Sequence, residues 1–302
     1  VLHAMTAPTT YWQFAYGATG TEYLFGAGLP VQLLSIDGLE DAPPVRTQDI
    51  TRGFADGMYT GRDFFQGRII TMHLQILADA NGSMVTNLQA MKNALVPNRQ
   101  GLSKLSIYLP NRSVQFLWCR VRRRSIQINP DYVYGRAEAM VEFFCPDPRI
   151  YDPATSVTLG TASQLGRSYF GTTGRSYSGA TGRSYATAGA AASASGAVVN
   201  NGSTATPATI TMTTTGSVTN ATFTNAATGT SFGVATTIGT TDTLTIYTDP
   251  GVVLLNGNPV RNVATVGSSF WLVQPGSNAI TVTFGTTTGT PNIVVTTSNA
   301  YI

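Results

Sequence analysis

The chain has 302 residues, of which only 11% are charged and 42% hydrophobic, with a net charge of +3. That length is about two domains' worth of chain, and charge this sparse suits a subunit buried in an assembly better than a free monomer. The small, mixed net charge argues against nucleic acid as the main partner, and no apolar run approaches the ~18 residues a bilayer span needs.

The character of the chain changes near residue 150. Of the 18 Lys and Arg, 14 precede Tyr151, as do 12 of the 15 acidic residues. The second half holds no Lys, Glu, His or Cys. Such a segment is poorly equipped for acid–base chemistry or metal binding. The expectation is a non-enzymatic structural or binding protein without cofactor, catalytic residue or metal.

Taken in order, the opening VLHAM lacks the basic and apolar regions of a secretory signal. Residues 1–30 are aromatic and Gly-rich. Strand signals follow in VQLLSI (Val31–Ile36) and RIITMHLQILA (Arg68–Ala78). Between them lies FADGMYTGRDFFQG (Phe54–Gly67), a Gly-rich loop with the look of an interface loop. A helix is predicted over 83–96, where Met84, Leu88, Met91 and Leu95 form one apolar stripe, Asn81 or Ser83 caps the start, and Pro97 forbids continuation. LSKLSIYLP, SVQFLWCRVRRRSIQI and AEAMVEFFCPDP then read as antiparallel strands. Residues 31–150 therefore read as an α+β barrel or sandwich with a helix on one face, within a first domain taken as 1–155.

GRSY recurs at Gly166–Tyr169, Gly174–Tyr177 and Gly182–Tyr185, each copy eight residues after the last. An even spacing puts Tyr169, Tyr177 and Tyr185 on one side of an extended chain. With AGAAASASGA behind it, 156–195 reads as a linker: either a plain tether, or a strap docking through Arg167, Tyr169, Arg175, Tyr177, Arg183 and Tyr185. From 196 to 302 short Thr-rich strands between Gly, Asn, Asp and Pro turns indicate an all-β sandwich.

Few side chains invite chemistry. Arg120, Arg122 and Arg124 alternate along a strand and so share a face: they suit the carboxylates of a neighbouring subunit, with Asp49, Asp56 and Asp63 as candidate partners, or phosphates, or form a plain solvated strand face. Cys119 and Cys145 match no zinc pattern, fit a reducing compartment, and would pair only if adjacent in space. His73 reads as an ordinary strand residue, and Asp147 before Pro148 as a turn cap. Trp271, beside a Pro-Gly turn, is the candidate ligand or partner surface of the second domain.

Two motifs carry a family resemblance: FFCPDPRIYDP (Phe143–Pro153), a strand ending in an Asp-Pro turn, and WLVQPGSNAITVTF (Trp271–Phe284), a strand, turn and strand. With the single helix and the all-β tail, the chain resembles the distal tail proteins of siphophages, and its linker is similar to those of phages infecting actinobacteria. The resemblance implies a mainly β protein: an N-terminal split β-barrel with one helix and a C-terminal galectin-like β-sandwich. It implies a hexameric ring at the distal end of the tail, joining tail tube protein to tail-tip hub protein. The tape measure protein and receptor-binding or other baseplate proteins are further partners. DNA is met only in transit through the channel. The chain would be assembled in the host cytoplasm, carried in the virion, and inserted in no membrane. The alternatives are a carbohydrate-binding or adhesin-type module, with Trp271 responding to sugar, and a tail-tube subunit.

Overall fold

The structure is a computed structural model that describes residues 12–18, 21–79, 83–97, 101–162, 193–260 and 263–302. It divides into two units, 1–153 with 301–302, and 154–300.

The first unit contains β1 (Gln13–Gly17), β2 (Tyr23–Gly26), β3 (Val31–Asp37), the two-residue strands β4 (Val45–Arg46), β5 (Ile50–Thr51), β6 (Met58–Tyr59) and β7 (Phe64–Phe65), and β8 (Arg68–Leu77). Then come α1 (Met84–Ala94), β9 (Ser103–Tyr108), β10 (Gln115–Gln127), β11 (Arg136–Cys145) and β12 (Ile150–Tyr151). One antiparallel sheet runs β2-β1-β9-β10-β11-β8-β3. It curls because β10 is shared: its first half pairs with β9 and its second half with β11. Alternation sets the inner face. In β8, Ile70, Met72, Leu74 and Ile76 are buried while Ile69 and His73 are exposed. On that inner face lies α1, which buries Met84, Leu88 and Met91. Ser83 caps its start, its Oγ accepting from the Thr86 N–H at 3.3 Å. The helix read from the apolar stripe is thus present, one turn-end shorter than its sequence signal.

The second unit contains β13 (Thr155–Ala162), β14 (Ser193–Asn200), β15 (Ala208–Thr214), β16 (Val218–Asn225), β17 (Thr230–Ile238), β18 (Leu244–Tyr247), β19 (Val252–Leu255), β20 (Asn258–Pro259), β21 (Gly276–Thr283), β22 (Thr286–Thr287) and β23 (Pro291–Thr297). A last short strand is β24 (Ala300–Tyr301). Two layers, β17-β16-β21-β14 and β23-β15-β18-β19-β20, are joined by β13. Thr155–Leu159 pairs with β23, and Gly160–Ala162 with β14, so one strand passes from layer to layer. In β15, Ile210 and Met212 are buried while Thr209, Thr211 and Thr213 are half-buried on the opposite face. On exposed faces hydroxyls pair between neighbouring strands: Ser156 with Thr296 at 2.8 Å and Thr219 with Thr286 at 2.6 Å. β13 and the start of β14 fall within the span the composition marks as linker; Ser193–Asn200 pairs with β21 along its whole length. The three GRSY copies lie outside the described residues.

Candidate assembly surface

Chain 38–67 leaves the first unit as a hairpin arm. β4 pairs with β7 at its root and β5 with β6 towards its tip. A two-stranded ribbon is at best marginally stable in water, and almost every residue of this one is exposed. Phe54 stands fully in solvent, and Ile50 and Tyr59 are 68% and 62% exposed. Local contacts hold the ribbon together. The Gly61 N–H donates to Asp49 Oδ1 at 2.8 Å, and a Cβ at Gly61 would come 2.1 Å from the Gln48 carbonyl oxygen. The arm's arginines are spent on its own rings: Arg52 over Tyr59 at 4.9 Å, and Arg46 and Arg62 near Phe64 at 5.5 and 5.4 Å. Ile50, Phe54, Met58 and Phe65 carry the exposed apolar surface.

The root of the arm is fixed. Gly38 has φ +82°, and a Cβ there would lie 2.2 Å from the Ile69 carbonyl oxygen. Arg68, buried, donates from Nη1 to the carbonyls of Gly38 (3.1 Å), Leu39 (2.5 Å) and Asp41 (2.7 Å), and from Nε to Pro148 (3.1 Å). Burial lowers its pKa, while Cys145, Glu40 and Asp41 act in the opposite sense. Arg112 grips Glu40 with both guanidinium nitrogens, at 2.5 and 3.3 Å.

The arginine row is divided by a bulge. Val121 faces Phe143 and Arg123 faces Glu142, so Arg122 is an extra residue and the side-chain parity flips. Arg120 and Arg122 share the outer face, both over the Phe144 ring at 5.6 and 5.5 Å. Arg122 Nε lies 3.8 Å from Glu142 Oε1. Arg124 instead turns to the helix, donating to the Lys92 and Leu95 carbonyls at 2.5 and 3.0 Å. It closes the C-terminal end of α1 and does not belong to the outer row. Alternation alone placed it there, and an inserted residue breaks alternation.

Around that row the outer face is aromatic. Lys104 lies over Phe116 at 4.6 Å, Phe116 stacks on Tyr151, and Trp118 is exposed beside Phe116. Asp56 and Asp63, on the arm, form no ion pair among the described residues. The structure thus supplies two surfaces in one unit: a cationic, aromatic sheet face, and an exposed apolar arm carrying carboxylates. Sequence reading found the loop but not its apolar tip, because Ile50 and Met58 sit in two-residue strands with no periodic signal.

Asp147 caps its turn, accepting from the Arg149 N–H at 3.1 Å and from the Tyr151 hydroxyl. Trp271 is not a surface. It is 2% exposed, packs 5.8 Å from Phe232, and donates its indole N–H to the Phe223 carbonyl at 3.3 Å. The apolar core needed its bulk, and the adjoining Gln274–Asn278 turn is held from within by Asn278, whose Nδ2 donates to the Gln274 carbonyl at 2.7 Å.

Residues 201–299 match the family model described as siphovirus-type tail component, C-terminal domain. That span lies within the second unit, which is therefore similar to the C-terminal domain of siphovirus-type tail components. In fold, the chain is similar to SPP1 Dit, a protein titled a paradigm of the hub adsorption apparatus in phages infecting Gram-positive hosts. The TM-score is 0.65 at 12% identity, over 96% of this chain and 99% of that one. It is also similar to chains of the phage P2 baseplate in its activated conformation, with calcium (TM-score 0.52, 12% identity, 94% and 97% covered) and with strontium (0.51, 11%, 94% and 97%). A search of curated protein sequences finds no match. The resemblance to siphophage distal tail proteins read from Phe143–Pro153 and Trp271–Phe284 holds, and the mainly β architecture with it.

Proposed function

We propose that this chain is a non-enzymatic virion subunit that closes, with copies of itself, a hexameric ring at the distal end of a non-contractile phage tail. The observation carrying this reading is that one fold spans both units, in the same order, over nearly the whole of this chain and of SPP1 Dit. Ring closure removes exposed sheet edges as a hazard and gives unpartnered surfaces a use. In this reading Arg120 and Arg122 of one copy meet Asp56 and Asp63 of the next, with Asp49 shaping the arm that presents them. The ring joins the tail tube protein to the tail-tip hub protein, with the tape measure protein and DNA passing through its channel. The second unit faces receptor-binding or other baseplate proteins. Burial of Trp271 removes the feature on which a carbohydrate-binding reading rested.

Native mass spectrometry with negative-stain imaging of the full chain tests the proposal. Closed rings of six copies are expected, and the charge reversal Arg122→Glu should shift the population towards monomer, with Asp56→Arg restoring part of it. A chain that stays monomeric both alone and with the tail tube protein overturns the reading.

A further inference from the structure

At Cys119 the strand β10 changes partners. Cys119 lies opposite Ser103 of β9, while Arg120 lies opposite Phe144 of β11. One step along that antiparallel register sets Cys119 across from Cys145, the last residue of β11, itself opposite Arg68. Both cysteines are free and buried. Facing residues of an antiparallel pair have Cα atoms ~4.5 or ~5.5 Å apart. Both values fall within the ~4.4–6.8 Å that a disulfide spans, so the register is compatible with the bond. The two thiols are already in contact: the hydrogen bond to Cys145, with burial second, raises the pKa of Cys119.

Arg68 supplies the second observation. Its Nη1 and Nε are occupied by backbone carbonyls, yet Nη2 is buried with no partner. The same guanidinium interacts electrostatically with Cys145. Arg68 lies directly opposite Cys145 in the β8–β11 register, so its positive charge stands beside the strand position of that sulfur. The carboxyl groups of Glu40 and Asp41 also act on Arg68, and the Tyr16 hydroxyl interacts electrostatically with both thiols.

We propose that Cys119 and Cys145 are a site of oxidative modification, closed by a small peroxide into a cross-strand disulfide. The Cys145 thiolate attacks one peroxide oxygen; the O–O bond breaks, hydroxide leaves and takes up a proton, and Cys145 becomes a sulfenic acid. The Cys119 sulfur then attacks the Cys145 sulfur, the S–O bond breaks, and water leaves with the Cys119 proton. Two thiols are oxidised, one peroxide is reduced, and two waters form. Arg68 is a positioning residue. Cys145 is the last residue of β11, where its ladder to β8 ends, and fraying at that end is the route by which a small oxidant enters. The bond staples the seam of the curled sheet beside the root of the arm. A chain moving from a reducing to an oxidising compartment carries it only in the second.

The test exposes the reductant-free full chain to hydrogen peroxide, alkylates it in denaturant, and maps its peptides without reduction. The expected result is a linked pair of peptides carrying Cys119 and Cys145, about 2 Da lighter than their sum and separated by a phosphine. The melting temperature of the first unit should rise with oxidation and return with reduction. In the Cys119→Ser variant the halted sulfenic acid should be labelled on Cys145 by dimedone, and in Arg68→Lys linkage should slow several-fold. Full alkylation of both thiols after peroxide, or a disulfide only between chains, overturns the site. Dimedone labelling of Cys119 in Cys145→Ser, with none on Cys145 in Cys119→Ser, overturns the assigned order.

Discussion

Trp271→Ala is the perturbation that separates a core tryptophan from a ligand-facing one. The ring is 2% exposed and is fixed on two sides, by Phe232 at 5.8 Å and by the Phe223 carbonyl at 3.3 Å. Truncating a buried tryptophan costs ~3–5 kcal/mol through lost transfer energy and the cavity left behind. Loss of the indole donor adds ~1 kcal/mol. A total of ~4–6 kcal/mol removes most of the ~5–15 kcal/mol that holds an ordinary domain folded. Trp271→Phe keeps a ring against Phe232 and should lose only ~1–2 kcal/mol, chiefly the hydrogen bond and part of the volume. Denaturant unfolding followed by far-ultraviolet circular dichroism reads both, and only the transition of the second unit should move. A Trp271→Ala protein within ~1 kcal/mol of the parent would refute the packing argument. So would a soluble sugar that shifts the emission of Trp271.

Other consequences follow from single contacts. Arg124→Ala frees the Lys92 and Leu95 carbonyls at the end of α1 and should cost ~1–3 kcal/mol in urea unfolding of the first unit, while an outward-facing arginine would cost almost nothing. Gly38→Ala meets both a positive φ and the Ile69 carbonyl and should cost at least ~2 kcal/mol; Gly28→Ala, at φ +74° in open space, should cost ~1 kcal/mol. Burial pushes the Tyr23 phenol up to about 12, above its ordinary value of 10.0. The neutral form is therefore the one the fold favours: stability is intact below about pH 10 and falls by ~2–3 kcal/mol as pH rises towards 12. Tyr16, Tyr108 and Tyr151 shift in the same sense, and Tyr23→Phe should make the alkaline loss shallower. Deleting one eight-residue GRSY copy should leave ring assembly unchanged if the repeat is a tether, and weaken it if Tyr169, Tyr177 and Tyr185 dock in register; native mass spectrometry distinguishes the two.

Much of the architecture was legible because periodicity was clean. The stripe Met84, Leu88, Met91 and Leu95 gave the helix, and alternation in Arg68–Leu77 gave a strand with one buried face. What escaped were features that break a period or depend on partners far along the chain. One inserted residue at Arg122 reversed the direction of Arg124, and no local signal marks a bulge inside a run of arginines. Trp271 sits beside a conspicuous turn, yet its fate was decided by Phe223 and Phe232, some forty residues away. The adjacency of Cys119 and Cys145 depended on the register of β10 against β11. Ser193–Asn200 looked like low-complexity hinge because small residues have weak strand signals. It pairs with β21 along its whole length, and Gly196 leaves room for Leu159 of β13, whose Cδ2 would lie 2.9 Å from a Cβ there.

Hydroxyl pairs on exposed faces, in place of ion pairs, leave the described surface of the second unit nearly silent electrically. Ser156 with Thr296, Ser217 with Thr288 and Thr219 with Thr286 satisfy one another without charge. Asp242 and Asp249 are the only ionisable carboxylates among its described residues. Such a surface neither draws a charged partner from a distance nor repels one, so encounter rates should sit near the unsteered ~10⁵–10⁶ M⁻¹s⁻¹ and change little with salt. Whatever binds this unit must find it by shape at short range. The same attachment should then hold in fresh water and in brine, whereas contacts through Arg120 and Arg122 weaken as ionic strength rises.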